Sequence, residues 1–311
     1  MLGMRGERVL VTGASGFLGR HLCRRLCAAG AEVHAVSRRA ASAHPDAHRW
    51  WAADLANDAE SRSLVRTVKP HSVVHLGALT HAAPDVALVP QTFHSILSST
   101  VNLLTALTEQ GCRRVVLAGS IEEPYGNKVS PTPASPYAAA KWAAGAYGRM
   151  FQALYGTPVV IGRLALVYGP GQAERKVIPS AILSLLRGQP VRVSTGTRRW
   201  DFVFVDDAIE ALSRLLDDGV AAGSTIEIGT GRAEPLRAVV EQLVQIIDPG
   251  VVPVFGAVAD RPFTEGRAAD AMATAASLGW QATTTLERGL ERTVDWYRTH
   301  ADSYNTQGMA A

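Results

Sequence analysis

The stretch Val9-Leu10-Val11-Thr12-Gly13-Ala14-Ser15-Gly16-Phe17-Leu18-Gly19 decides the fold. An apolar strand runs directly into a turn with glycines three residues apart, and a helical pattern starts behind it. Gly13 permits the tight turn, Gly16 lets the backbone approach a pyrophosphate, and Gly19 lets the new helix pack closely on the strand. Unpaired N–H groups and the helix dipole make such a helix start attractive to phosphate. Ser15, Phe17 and Leu18 share the turn and join the three glycines as candidate contacts to a dinucleotide. The Gly-x-x-Gly-x-x-Gly spacing is one residue wider than the general dinucleotide fingerprint.

Working outward, short β-branched runs at residues 8–12, 32–36, 72–76, 114–118 and 158–163 alternate with helical patterns at 17–29, 59–68, 92–110 and 136–155. That alternation predicts an α/β fold, a doubly wound parallel sheet of Rossmann type with right-handed crossovers. After about Tyr168 the pattern loosens, with glycine- and proline-rich connections at 169–171, 188–190 and 249–253. The expected organisation is a dinucleotide-binding domain over residues 1–168 and a smaller α/β substrate-binding lobe over 169–300, some of whose segments return to the first domain. Residues 287–300 read as an amphipathic helix and 301–311 as a frayed tail.

The chain has 311 residues, a net charge of +3, 47% hydrophobic and 19% charged residues. Those values exclude disordered, collagen-like and disulfide-scaffold classes. No apolar run reaches the roughly 18–20 residues of a membrane helix, and the first residues lack the apolar core of a signal peptide. The expectation is a cytoplasmic protein without a membrane partner. Its basic residues are spread along the chain, so no nucleic-acid partner is expected. Cys23, Cys27 and Cys112 read as core or surface thiols, and no metal site is expected.

The second strand ends in Ala35-Val36-Ser37-Arg38-Arg39. An NAD-selective site would usually place a carboxylate there for the ribose hydroxyls; two guanidiniums instead suit a 2′-phosphate, which predicts NADP, with NAD as the alternative. Asp54-Leu55, after a third strand, is placed to reach the adenine amino group, although an Asp there also serves as a helix cap.

Further along, Ser135-Pro136-Tyr137-Ala138-Ala139-Ala140-Lys141 places a proline in a first helical turn and a tyrosine four residues before a lysine. Residues four apart share one helix face, so Tyr137 and Lys141 project together. A neighbouring ammonium favours phenolate and is expected to lower the Tyr137 pKa towards neutrality.

With the glycine turn, with Leu278-Gly279-Trp280 and with Leu286-Glu287-Arg288-Gly289-Leu290 near the end, the chain resembles the extended short-chain dehydrogenase/reductases. More narrowly it resembles their NAD-dependent epimerase/dehydratase group, which works on nucleotide sugars. The resemblance implies that Tyr137 is the acid/base, that Lys141 activates it and holds the nicotinamide ribose, and that a hydroxyl past the fifth strand is their partner. In Gly119-Ser120-Ile121-Glu122-Glu123-Pro124-Tyr125-Gly126 that hydroxyl is assigned to Ser120, with Pro124 as an extra residue. Without an insertion, Ile121 would stand in its place. Glu122 and Glu123 fall where similar dehydratases keep an acid and base for water elimination.

In the lobe, Arg163-Leu164-Ala165-Leu166-Val167-Tyr168-Gly169-Pro170-Gly171 puts Leu166 where the resemblance implies a diphosphate-binding Asn. Arg198-Arg199-Trp200-Asp201-Phe202 puts Trp200 where it implies an Arg, with Arg199 or Arg198 as substitute, and Arg261 is the stronger candidate clamp. Leu76, Gly77 and Ala78 are expected against the cofactor, and His81 near the substrate. The reading reached is an NADPH-dependent 4-ketoreductase of a nucleotide-linked 4-keto sugar. Its alternatives are an NAD-dependent 4-epimerase or dehydratase, a reductase of another carbonyl compound, and a non-catalytic cofactor sensor. A homodimer through residues 95–110 and 136–155 is also expected, as in similar proteins.

Overall fold

The computed structural model describes residues 4–38, 46–125, 131–263 and 265–305, the last five as backbone. In chain order its first half runs β1 (Arg8–Thr12), α1 (Phe17–Ala28), β2 (Glu32–Ser37), β3 (Arg49–Ala52), α2 (Asp58–Val68), β4 (Ser72–His75), α3 (Leu88–Thr92), a π-helical turn (Phe93–Ser98), α4 (Ser99–Gln110), β5 (Arg114–Ser120), α5 (Pro136–Tyr155) and β6 (Val159–Leu164). The second half follows with β7 (Leu166–Tyr168), α6 (Val177–Leu186), β8 (Arg192–Val193), β9 (Arg199–Phe204), α7 (Val205–Arg214), β10 (Thr225–Ile228), β11 (Ala233–Pro235), α8 (Leu236–Ile247), β12 (Val254–Phe255), α9 (Ala271–Leu278) and α10 (Leu286–Asn305).

Seven strands form one parallel sheet in the order β10-β6-β5-β4-β1-β2-β3. Successive side chains of a strand face opposite ways, and here both faces are covered. Val9 and Val11 of β1 enter one core with Leu22 and Leu26 of α1, while Leu10 enters a second with Leu64 of α2 and Leu103 of α4. Covering both faces explains why the central strands read as continuous apolar runs.

The chain proceeds from β1 to β2 and β3 on one side, then crosses back to β4, β5 and β6 on the other. At that reversal the connections diverge and leave a crevice beyond the carboxyl ends of β1 and β4. Thr12 and His75 close the two strand tips against each other, with Thr12 Oγ1 and His75 Nδ1 2.7 Å apart, and Thr12 Oγ1 also accepts from the Gly77 amide at 3.2 Å.

Over the carboxyl edge lie a three-stranded sheet, β11-β9-β7, and a two-stranded one, β12-β8. From this half β10 returns to pair with β6, and α7 packs on α1. Asp201, completely buried on β9, organises the lobe: its carboxylate accepts from the amides of Thr230, Gly231 and Ala269 and from the Thr230 hydroxyl. Asp207 holds the 283–284 turn in the same way.

Two expectations change. The helical stretch at 92–110 begins on the last residue of α3, widens into a π turn over Phe93–Ser98 and is α-helical again from Ser99; there the hydroxyls of Ser99 and Thr100 donate back to the carbonyls of Ser95 and Ile96, a side-chain competition that loosens helices. The closing helix continues to Asn305, past the expected end at His300, while 306–311 lie outside the described residues. Cys23 is buried and Cys27 and Cys112 are half-buried free thiols. No helix among the described residues is long and apolar enough to cross a membrane.

Candidate active site

A cleft of about 2110 Å³ occupies the crevice between the parallel sheet and the lobe. Single ligand pockets run to roughly 1,000 Å³, so this volume accommodates a dinucleotide and a second ligand together.

Its floor at one end is the β1–α1 turn. Gly13 has φ +65°, and a Cβ on it would stand 2.8 Å from the Gly77 amide nitrogen; one on Gly19 would stand 2.3 Å from the Gly13 carbonyl oxygen. The turn, the helix start and the β4 tip are therefore packed backbone against backbone. Gly16 is the N-cap of α1 and supplies no side-chain acceptor, which leaves the first N–H groups of the helix facing the cleft. Such a cradle fits a dinucleotide diphosphate. Ser15, Phe17 and Leu18 line the same wall, and Leu76, Gly77 and Ala78 face them across it. Ser37 and Arg38 lie at the end of β2, also on the cleft, whereas Arg39 falls outside the described residues. Asp54 lines the cleft while its carboxylate accepts from the Ala56 amide at 3.0 Å; Leu55 beside it is buried.

The reacting end is built by β5 and α5. The Ser135 side chain caps α5 by accepting from the Ala138 amide at 3.1 Å, and Pro136 occupies the first turn, so the helix begins at a defined residue. That start places Tyr137 and Lys141 on the cleft face. Ser120, at the tip of β5, lines the cleft beside Tyr137, where its hydroxyl favours the phenolate, and its Oγ accepts from the Glu122 amide at 3.2 Å. Ile121 is turned into the core, so Ser120 supplies the hydroxyl at this position.

The Lys141 ammonium is buried and donates to the Ala118 carbonyl at 2.6 Å. Desolvation pulls it down to about 8. The phenol of Tyr137 behaves contrary to expectation: burial and the neighbouring Glu122 carboxylate push its pKa above the ordinary value, and the hydrogen bond from Ser120 offsets only part of this.

Glu122 and Glu123 part company. Glu122 lines the cleft, 3.8 Å from Arg261, and burial pushes its carboxyl upward while Arg261 and Lys176 act in the opposite sense. Glu123 does not reach the cleft as expected. Its carboxylate accepts from the Ser120 amide at 2.6 Å and pairs at 3.1 Å with Arg163, which also binds Glu227. That buried network holds the β5 tip and leaves Glu123 no access to a ligand.

In the lobe, Leu166, Trp200, Arg198 and Arg261 face the cleft, as does the exposed His81 on the other wall. Arg199 does not: side-chain alternation along β9 turns it away from Arg198 and Trp200, and it donates to the Ala233 carbonyl at 2.7 Å. Lys176 escaped the sequence reading. Its side chain enters the cleft and donates to the Thr80 carbonyl at 2.7 Å, and the only local signal was the basic pair Arg175-Lys176 ahead of an apolar helix. Among the described residues no cluster of His, Cys, Asp or Glu could hold a metal ion.

Comparison with known proteins places this geometry. The sequence model of the NAD dependent epimerase/dehydratase family matches residues 9–229. A probable dTDP-glucose 4,6-dehydratase of Sinorhizobium fredii is 31% identical, over 93% of this chain and 92% of its own. The UDP-glucose 4-epimerase of Mycolicibacterium smegmatis is also 31% identical, over 94% of this chain and 98% of its own. Among solved structures, MoeE5 in complex with UDP-glucose and NAD is 31% identical with a TM-score of 0.83, covering 95% of this chain and 100% of that one. A second MoeE5 complex, with UDP-glucuronic acid and NAD, matches at the same identity and TM-score over 94% and 99%.

Proposed function

Because the chain belongs to the NAD dependent epimerase/dehydratase family, we propose that it oxidises and re-reduces the sugar of a nucleotide sugar at C4, as a 4-epimerase with NAD regenerated in each cycle. The observation that carries the choice is the division between the two glutamates. Eliminating water beside a keto group needs a base for the carbon-bound proton and an acid for the departing hydroxyl. Of the two carboxyl groups expected to share that work, only Glu122 faces the cleft; Glu123 is committed to Arg163 and the Ser120 amide. Epimerisation needs no such pair.

The α1 N-terminus with Gly13, Ser15, Gly16, Phe17 and Leu18 would hold the cofactor diphosphate, Ser37 and Arg38 its adenosine ribose, Asp54 and Leu55 its adenine, and Lys141 the nicotinamide ribose. NAD, when bound, supplies an acceptor that takes up a hydride and gives it back. Burial and Glu122 favour the phenol of Tyr137, whereas the positive charge of an oxidised nicotinamide would favour its phenolate, the form that takes the proton of the sugar hydroxyl at its oxygen; Ser120 would orient that hydroxyl, and the low-dielectric wall would keep water from competing. Arg261 and Arg198, which line the cleft, would bind the substrate diphosphate. Leu166 and Trp200 give the remaining wall shape in place of hydrogen bonds.

Arg38 favours a second reading, the NADPH-dependent 4-ketoreductase, since a guanidinium on the cleft at the end of β2 suits a 2′-phosphate. One experiment separates the readings: denature the purified protein, identify the nucleotide released, and follow UDP-glucose and dTDP-glucose by NMR without added cofactor. Bound NAD with formation of the C4 epimer is the expected result. A 4-keto-6-deoxy product would overturn the epimerase in favour of a dehydratase, and an inert protein that consumes NADPH with a 4-keto sugar would establish the reductase. Two copies pairing through α4 and α5 would cover the exposed Phe93, Trp142 and Tyr147, which light scattering in solution tests.

A further inference from the structure

Glu123 has no reach to a ligand, yet it grips a residue that has. Its amide donates to the Ser120 carbonyl at 3.1 Å, and its carboxylate Oε1 accepts from the Ser120 amide at 2.6 Å. Ser120 is thus held by both its backbone groups. Its Oγ accepts from the Glu122 amide at 3.2 Å, which engages a lone pair and leaves the hydroxyl proton to turn towards the cleft that Ser120 lines. Just beyond, the Ile121 amide donates to the Leu164 carbonyl at 2.8 Å and ties the turn to β6.

The carboxylate is itself fixed from below. Arg163 of β6 stands opposite Gly119 in the strand register, and a Cβ on Gly119 would lie 2.8 Å from Glu123 Oε1. Oε1 therefore occupies space that any side chain at 119 would need. The other oxygen, Oε2, accepts from Nε and Nη2 of Arg163 at 3.3 and 3.1 Å. Arg163 Nη1 continues to Glu227 of β10 at 3.3 Å, and Arg267 closes on Glu227 with bonds of 2.7 and 2.8 Å. With its side chain 1% exposed and both oxygens bonded, the Glu123 carboxylate has no room to swing. Buried ion pairs often add little stability over apolar packing. What this one supplies is direction.

We infer that Glu123 is the positioning residue of Ser120: its carboxylate, locked by Arg163, fixes the Ser120 backbone so that the hydroxyl is presented to the reacting oxygen of the sugar. This rests on the reading of Ser120 as the group that orients that oxygen beside Tyr137. It assigns the two glutamates separate work, since Glu122 faces the cleft and Glu123 acts only through Ser120.

The test compares two double variants that both lack the ion pair, Glu123→Gln/Arg163→Met and Glu123→Ala/Arg163→Met, in whichever of the epimerase, dehydratase or reductase reactions the natural chain performs. Only the first keeps an acceptor for the Ser120 amide. The second should lose kcat by about 10²-fold against the first, with KM and bound nucleotide within about threefold, because a reacting group displaced by about 1 Å costs that much. Adding Ser120→Ala should lower kcat about 10²-fold in the first background and less than about threefold in the second, where the hydroxyl is already out of place. Gly119→Ala keeps every charge and pushes on the carboxylate; it should lower kcat at least about tenfold with KM unchanged, and it answers alone if either double fails to fold. Equal kcat in the two doubles, an additive loss on Ser120→Ala, or a Gly119→Ala protein as fast as the natural chain overturns the inference, while turnover by the natural chain keeps the nucleotide-sugar reading. A natural chain inert with UDP-glucose, dTDP-glucose and a 4-keto sugar nucleotide alike removes that reading and this inference with it.

Discussion

The two ends of the cleft are made of different material. At the nucleotide end the contacts that define the site are between backbones: Gly13 against Gly77, Gly19 against Gly13, and a helix start with no side-chain cap. At the sugar end the site consists of single side chains, Ser120, Glu122, Tyr137, Lys176, Arg198 and Arg261, delivered by separate segments. A backbone cradle binds what every dinucleotide has in common, its diphosphate, and tolerates almost no substitution. A wall of side chains can be retuned one residue at a time without disturbing the cradle.

That contrast can be broken in four places. Replacing Tyr137 by Phe should lower turnover by about 10²–10⁴ with bound cofactor unchanged, because only the proton acceptor is removed; retained turnover would dissolve the distinction between holding and reacting. Lys141 gives a pH test. Its folded pKa of about 8 lies below the ordinary 10.5, so the folded chain binds fewer protons than the unfolded one between those values. The cost of burying its charge is thus full below about 8 and is lost as pH rises towards 10.5. Lys141→Met should relieve a penalty on the order of 3 kcal/mol at pH 7 and little at pH 10.5, read as the difference in denaturant stability between variant and parent at each pH. A pH-independent difference would contradict the buried ammonium.

Gly19→Ala should cost about 2 kcal/mol through overpacking and strip the protein of nucleotide, since its methyl would meet the Gly13 carbonyl. Unchanged melting temperature and nucleotide content would show that the cradle can open. The smallest effect sharpens the sugar end: Arg261→Ala should weaken UDP binding about tenfold, while Arg199→Ala should change it less than about threefold. Equal losses would place Arg199 in the cleft after all.

How much was legible differs between the same two regions. β1, the glycine turn and α5 can be read to the residue, because β-branched runs, glycine geometry and a Ser-Pro start are local signals. β3, Arg49-Trp50-Trp51-Ala52, has no β-branched residue to mark it and is a strand because β2 offers it an edge. Glu122 and Glu123 are neighbours with one chemistry between them, yet one faces the cleft and the other a half-buried arginine on β6. Arg198 and Arg199 part in the same way at the start of β9. The raised Tyr137 pKa is a further instance: spacing announced a nearby lysine, but desolvation and Glu122 raise the phenol, and the group that acts against them is Ser120.

By itself the sequence determined what depends on near neighbours in the chain: the alternating elements, the doubly wound sheet, the dinucleotide turn, and the tyrosine and lysine on one helix face. Only the tertiary structure decided which carboxylate and which arginine face the cleft, that Lys176 reaches it, and which way each buried group titrates. The physical reason is that a strand or helix start is set by a few consecutive dihedral preferences. The direction of a side chain and its desolvation are set by partners such as Arg163, Thr80 and Ala233, many residues away in the chain.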